Sequence, residues 1–136
     1  MTNISICEKI KSILNSKIAL GSIEAKIKVG ESSELLWEEI SSVSNEISSK
    51  NSLEDVLKIN NIKAAREAYK KLGKDPSRYR VSSESLVRRI VKGNELYKVN
   101  NIVDINNLIS IRSFNPVCAY DLDKIDSDIV LTIGEE

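Results

Sequence analysis

The 136-residue chain contains no histidine. The candidate side chains for chemistry are therefore its amides, its carboxylates, its lysines and its two thiols. The usual general base, a common metal ligand and every Ser-His or Cys-His nucleophile are therefore excluded. A reaction would have to use a carboxylate, a lysine or a positioned water molecule. Phosphate-binding glycine loops and metal-ligand motifs are also absent from the sequence, so no cofactor and no metal is expected.

Three polar residues, Asn101, Asp104 and Asn107, interrupt an otherwise apolar segment. Buried polar groups need hydrogen-bond partners, so these side chains either anchor the segment to neighbouring backbone or line a polar pocket. The pattern favours anchoring. Cys118 lies in another short apolar run and is typical of a small core residue, since no histidine is present to lower the pKa of its thiol.

Basic residues concentrate in the middle of the chain. Residues 61–98 carry eleven basic and four acidic side chains, whereas residues 99–136 carry two basic and seven acidic ones. Such a concentration either contacts nucleic-acid phosphates or is the solvated face of amphipathic helices, and the pattern alone favours the solvated face. An aromatic ring among the cations could stack on a base. The candidates for contact with RNA are Lys70, Lys71, Lys74, Arg78, Tyr79, Arg80, Arg88, Arg89 and Lys92.

The motif "DPSRYR" at residues 75–80 is more specific than the overall charge. Arginine guanidinium groups suit bidentate contacts with carboxylate or phosphate. Arg78 and Arg80 therefore either bind a ligand or pair with Asp104 or Glu84 inside the fold. The motif favours neither interpretation over the other.

Helical periodicity dominates the middle of the chain. Apolar residues spaced three and four apart predict a helix over residues 34–48, and Ser52 can cap a short helix after it. A further helix should end at Gly73, because Pro76 lies just beyond, and the helix after "DPSRYR" should stop at Gly93. The hydroxyls that could cap this last helix are those of Ser82 and Ser83.

Alternating apolar and polar residues predict strands near both ends of the chain. Residues 17–30, after a short opening helix, alternate with a phase change at Gly21, which indicates two strand pieces joined by a bulge or turn. Residues 101–113 fit either a strand or a helix, and a helix is favoured. "PVCAY" and "DIVLTI" are predicted to be short strands joined by an acidic turn. The predicted fold class is α+β, a mixed sheet packed with several helices.

Length and composition indicate one domain over residues 1–136, with 41% apolar and 29% charged residues. No apolar run is long enough to cross a bilayer, and charged residues interrupt the start of the chain where a signal peptide needs a continuous apolar core. A cytoplasmic location is therefore expected. Cys7 and Cys118 are too few and too far apart for a disulfide framework, so both are expected to be reduced.

Three consecutive segments resemble the tRNA-editing domain in the β subunit of phenylalanyl-tRNA synthetase, on which free-standing proteins are also built. They are "DPSRYRVSSESLVRRIVKG", "NNIVDINNLISIRS" and "PVCAYDLDKIDSDIVLTIGEE". The resemblance covers residues 61–136 and is thin over residues 1–60. It implies a fold in which the third and fourth modules of that subunit enclose a pocket that hydrolyses tyrosine wrongly attached to phenylalanine tRNA. A second site that hydrogen-bonds the extra hydroxyl supplies the discrimination that the synthetic site lacks.

The resemblance also implies pocket residues and partners. The family's strand continues past "IGEE" into the fourth module, so the domain is expected to be incomplete and this chain alone is not expected to hydrolyse the ester. The implied partners are RNA or tRNA, with phenylalanine or tyrosine as an amino-acid ligand, and a homo-oligomer could complete the module. The alternative is a non-catalytic protein-interaction or amino-acid-binding module with an exposed strand edge at "DIVLTI". The implied pocket residues are Asn101, Asp104, Asn107, Cys118, Ala119, Tyr120 and Asp121.

Overall fold

A computed structural model describes residues 2–135, and among these residues it contains six α-helices and two short strands. The chain starts with strand β1 (Ile4–Ile6) and helix α1 (Glu8–Ile13), and it ends with a 3-10 turn (Leu122–Lys124) and strand β2 (Ile129–Leu131). The α+β class predicted from the sequence is confirmed. The remaining helices are α2 (Glu34–Lys50), α3 (Leu53–Val56), α4 (Asn60–Lys71), α5 (Ser82–Val91) and α6 (Asn101–Ser113).

The sheet joins the two ends of the chain. Strands β1 and β2 pair in parallel, with Ile4 opposite Ile129 and Ile6 opposite Leu131. Within residues 2–135 the sheet consists of these two strands alone, so each of them is an edge strand. Local sequence patterns cannot predict this pairing, because its partners lie at opposite ends of the chain.

One apolar core joins helices α2 to α6. Helix α2 packs against α5 and α6, and α3 packs against α5. Complete burial of an aliphatic side chain contributes about 1.5–3 kcal/mol, so this core is the main source of stability for the helical part. The buried side chains of the core are Ile40, Ile47, Val56, Ile62, Val87, Ile90, Leu96, Leu108 and Ile111.

Helix ends follow the predicted signals with one exception. Ser52 caps α3 as expected, and its hydroxyl accepts a hydrogen bond from a first-turn amide. Helix α5 is different, because Val81 occupies the N-cap position and no side chain caps the helix. The predicted cap at Ser82 or Ser83 is therefore wrong. Ser83 is instead buried in the first turn, and its hydroxyl has no hydrogen-bond partner among the described residues.

Both glycine stop signals are confirmed. Helices α4 and α5 end two residues before Gly73 and Gly93, whose φ angles are 80° and 82°. Only glycine adopts this left-handed conformation without a steric cost, so both residues terminate their helices efficiently. The ambiguous residues 101–113 form a helix, as favoured from the sequence.

Two predicted strands are absent from the described residues. Residues 17–30 form neither helix nor strand, and residues 116–120, "PVCAY", are also irregular. A strand is stable only when a neighbouring strand satisfies its backbone groups, and neither segment has such a neighbour within residues 2–135. The strand predicted at "DIVLTI" is confirmed as the shorter β2. None of the helices in this part of the chain is long and apolar enough to cross a membrane.

Candidate functional site

A buried carboxylate connects α4, α5 and the loop between them. Glu84, in the first turn of α5, is fully buried. Nη1 of Arg66 donates to both carboxylate oxygens at 3.0 Å, and Nε of Arg80 lies 3.3 Å from one of them. Arg66 also donates to the carbonyl of Pro76 at 3.3 Å and to the hydroxyl of Ser77 at 3.2 Å. The pair Arg66–Glu84 therefore holds the loop against both helices.

This loop, residues 72–81, is called the basic loop below. Its Arg80 pairs with Glu84, so the internal-pairing interpretation of "DPSRYR" applies to that arginine. Arg78 is exposed, and its guanidinium carbon lies 5.2 Å from the centre of the Tyr79 ring. Nζ of Lys74 lies at the same distance from that ring. Tyr79 therefore contacts two cations at the surface, and its stacking on a base stays a prediction.

The residues predicted to contact RNA fall into two groups along the chain. The first group surrounds the end of α4 and the basic loop, and the second lies at the C-terminal end of α5. A helix rises 1.5 Å per residue, so the second group lies roughly 10–16 Å along α5 from the basic loop. The first group is Lys70, Lys71, Lys74, Arg78, Tyr79 and Arg80, and the second is Arg88, Arg89 and Lys92.

Arg89 in the second group has a structural contact that the sequence did not predict. Its Nε donates to the carbonyl of Glu95 at 2.6 Å, and its guanidinium carbon lies 4.0 Å from the centre of the Tyr97 ring. These contacts fix the segment after α5 while the arginine keeps its charge. Lys92 is exposed and Arg88 is half-buried.

Asn101 anchors the segment before α2 to the start of α6. Its backbone N–H donates to the carbonyl of Gly30 at 2.9 Å, and its side-chain oxygen accepts from the N–H of Gly30 at 3.1 Å. Its side-chain amide also donates to the carbonyl of Lys28 at 3.0 Å. The anchoring role that the sequence favoured is therefore seen for Asn101.

Asp104 is buried and serves as a second anchor. One carboxylate oxygen accepts from the hydroxyl of Ser32 at 2.5 Å, and the other accepts from the N–H of Val99 at 3.1 Å. Asp104 also lines an open cleft of about 1000 Å³ on the adjacent surface of α2. Trp37 and Lys98 line the same cleft, and Nζ of Lys98 lies 5.0 Å from the centre of the Trp37 ring.

The other predicted pocket residues do not line this cleft. Asn107 is half-buried, whereas Cys118, Ala119, Tyr120 and Asp121 are exposed on the irregular segment after α6. Asp121 accepts a hydrogen bond from a backbone N–H of the 3-10 turn. The structure thus places Asn101 and Asp104 in the first turn of α6, where they form two neighbouring anchors, and it leaves residues 118–121 exposed to solvent. A pocket role for residues 118–121 stays a prediction.

Sequence reasoning missed the cleft and the part that Arg66 plays. Trp37 is the only tryptophan of the chain and lies beside the apolar stripe of α2, which was the one available signal. Arg66 resembles the other cations of α4 in sequence, and only its contact with Glu84 distinguishes it. Both features depend on contacts between distant segments.

Comparison with known proteins identifies the family. The model of the B3/4 domain family matches residues 64–136, which include the basic loop, α5, α6 and β2. No curated protein and no solved structure matches the chain. Helix α2, with the Trp37 side of the cleft, lies before the matched region. Because the match covers more than half of the chain, this protein belongs to the B3/4 domain family, the family of the B3 and B4 modules of the phenylalanyl-tRNA synthetase β subunit.

Proposed function

We propose that this chain is a tRNA-associated module that holds the phosphate backbone against the end of α4, the basic loop and α5. The observation that carries the proposal is the set of cations without an acidic partner on these elements. Among residues 2–135, the carboxylate of Glu84 pairs with Arg66 and Arg80 and with no other cation. On the end of α4, the basic loop and α5, the cations that form no ion pair with a described residue are Lys70, Lys71, Lys74, Arg78, Arg88, Arg89 and Lys92.

Unpaired cations favour phosphate binding for two reasons. Each cation that contacts a phosphate releases a condensed counterion, which supplies most of the sequence-independent affinity for nucleic acid. No internal ion pair has to be broken first. The Arg66–Glu84 pair also pre-organises the basic loop, so little conformational entropy is lost when Arg78 and its neighbours bind. A tRNA partner is consistent with the family, and it would place this role in the cytoplasm.

Fluorescence anisotropy with labelled tRNA tests this proposal. Lys70→Ala combined with Lys71→Ala should weaken binding by about 10-fold at low salt, because two phosphate contacts are lost. Lys9→Ala combined with Lys124→Ala removes the same charge from exposed positions that lie outside α4, the basic loop and α5, and it should leave the affinity within about 2-fold. Equal losses in the two double variants would show that only net charge matters and would overturn the proposal.

We further propose that the chain binds aminoacyl-tRNA without hydrolysing its ester. Hydrolysis requires a positioned water molecule in a site closed to solvent. Both oxygens of Asp104 are engaged by Ser32 and Val99, and residues 118–121 are exposed. A deacylation assay on tyrosyl-tRNA(Phe) should give the uncatalysed rate. Faster release of tyrosine that is lost in Asp104→Ala would contradict this part of the proposal.

The cleft beside α2 supports a second candidate function, the binding of a free aromatic amino acid. Lys98 could pair with the ligand carboxylate, Glu34 or Glu38 with its ammonium group, and the Trp37 ring with its side chain. Because Trp37 is the only tryptophan, phenylalanine binding should change the intrinsic fluorescence directly. The change should saturate with ligand and disappear in Lys98→Ala. A linear, non-saturating signal would refute this candidate.

A further inference from the structure

Residues 17–30, called the amphipathic segment below, have the pattern of a strand but no strand neighbour. Ile23, Ala25, Ile27 and Val29 alternate with polar and charged residues. Ile23 is 96% exposed, and Ile27 and Val29 are 57% and 60% exposed. The backbone of residues 18–27 forms no hydrogen bond with any other residue between 2 and 135. An apolar face next to unpaired backbone groups is the surface that pairs with another strand.

Strand β2 offers the matching edge. Its one strand neighbour within residues 2–135 is β1, so the opposite edge is open. Val130, in the middle of β2, is 51% exposed although it is apolar. An added strand would satisfy the open backbone groups and cover this side chain.

The charges of the two surfaces are complementary. The amphipathic segment carries three lysines and one glutamate, whereas residues 121–128, directly before β2, carry four aspartates and one lysine. Lys26, Lys28, Asp123 and Asp126 are exposed, and none of their side chains forms an ion pair in the described structure. Opposite charges on the two surfaces attract, whereas either surface repels a second copy of itself.

We infer that the chain pairs with a second copy of itself by strand addition. The amphipathic segment of one copy lies along the open edge of β2 of the other, and twofold symmetry repeats the contact, so that each copy both donates and accepts a strand. Lys26 and Lys28 then face Asp123 and Asp126 of the second copy. The inference does not depend on tRNA binding, because none of the residues of the basic loop takes part.

Charge reversal tests the inference by sedimentation equilibrium over a range of protein concentrations. The unaltered chain should form a dimer. Lys26→Glu combined with Lys28→Glu should raise the dimer Kd by about 10-fold or more, and so should Asp123→Lys combined with Asp126→Lys. The variant that carries all four changes should return to within about 3-fold of the unaltered Kd, because the attraction is restored with reversed signs.

A second variant separates strand pairing from charge. Ala25→Pro removes a backbone donor in the middle of the amphipathic segment and should abolish the dimer. Residues 18–27 make no backbone hydrogen bond within one copy, so the circular-dichroism spectrum should keep its helical signal. An unaltered chain that stays monomeric at every concentration, or a dimer that withstands both Ala25→Pro and charge reversal, would overturn the inference.

Discussion

Replacement of Arg66 by methionine should destabilise the protein more than replacement of any other basic residue of α4, the basic loop or α5. The Glu84 side chain is 1% exposed and that of Arg66 is 18% exposed, so the pair is largely removed from water. Loss of one partner from a buried ion pair costs about 3–5 kcal/mol, because the other charge stays buried without compensation. Arg80 keeps a contact with Glu84, so we expect the lower end, about 3 kcal/mol.

Urea unfolding followed by the fluorescence of Trp37 measures this cost. Folded domains have unfolding free energies of about 5–15 kcal/mol, so a loss of about 3 kcal/mol is large but leaves the variant folded. With a slope of about 1–3 kcal/mol/M, the midpoint should fall by roughly 1–3 M. The Arg66→Met/Glu84→Leu double variant should be more stable than Arg66→Met, because it leaves no unpaired charge.

Arg80→Met is the matched control for this prediction. The Arg80 side chain is 38% exposed, so its pair with Glu84 is weakened by solvent and should contribute about 1 kcal/mol or less. If Arg66→Met lowers the free energy of unfolding by less than about 1 kcal/mol, or by less than Arg80→Met does, the described role of the Arg66–Glu84 pair is wrong.

Three further predictions use the same unfolding measurement. Asp104→Ala should cost about 1–3 kcal/mol, because it leaves the hydrogen-bond donors of two segments unpaired, and a cost near zero would contradict the anchor. Val87→Ala, at a fully buried position, should lower the free energy of unfolding by about 2–3 kcal/mol. Leu35→Ala, at a 75% exposed position, should lower it by about 0.5 kcal/mol or less. Similar costs for the two variants would contradict the location of the core. The backbone amide of Ser52 donates to the Asp55 carboxylate and holds its pKa below the ordinary value. The stability that Asp55 adds is therefore complete at neutral pH, and it is lost as the pH falls through the lowered pKa. The difference in urea midpoint between the unaltered chain and Asp55→Asn should therefore shrink below about pH 4, and a difference that does not change with pH would contradict this.

The helices could be predicted from the sequence because their signals are local. Apolar spacing, the capping serine at residue 52 and the glycines at 73 and 93 each act within a few residues, and the structure confirms them. The cap of α5 was the exception. Val81 occupies the N-cap position of α5 and has no hydroxyl, whereas Ser83 lies inside the first turn.

The sheet and the site could not be predicted because they depend on distant contacts. The amphipathic segment has strand periodicity, yet periodicity does not supply a neighbouring strand. The pairing of Ile4 with Ile129 joins the two ends of the chain. In the same way, the sequence offered Asp104 both an anchoring and a pocket role, and only its contacts with Ser32 and Val99 show the anchoring one.

The salt dependence of tRNA affinity tests the central claim most directly. The logarithm of the affinity falls linearly with the logarithm of the salt concentration, and its slope counts the phosphates that are contacted. Replacement of Lys70, Lys71, Arg78 and Lys92 by alanine should make the slope shallower by about three units if all four contact phosphate. An unchanged slope in this variant would show that the end of α4, the basic loop and α5 do not contact the tRNA backbone.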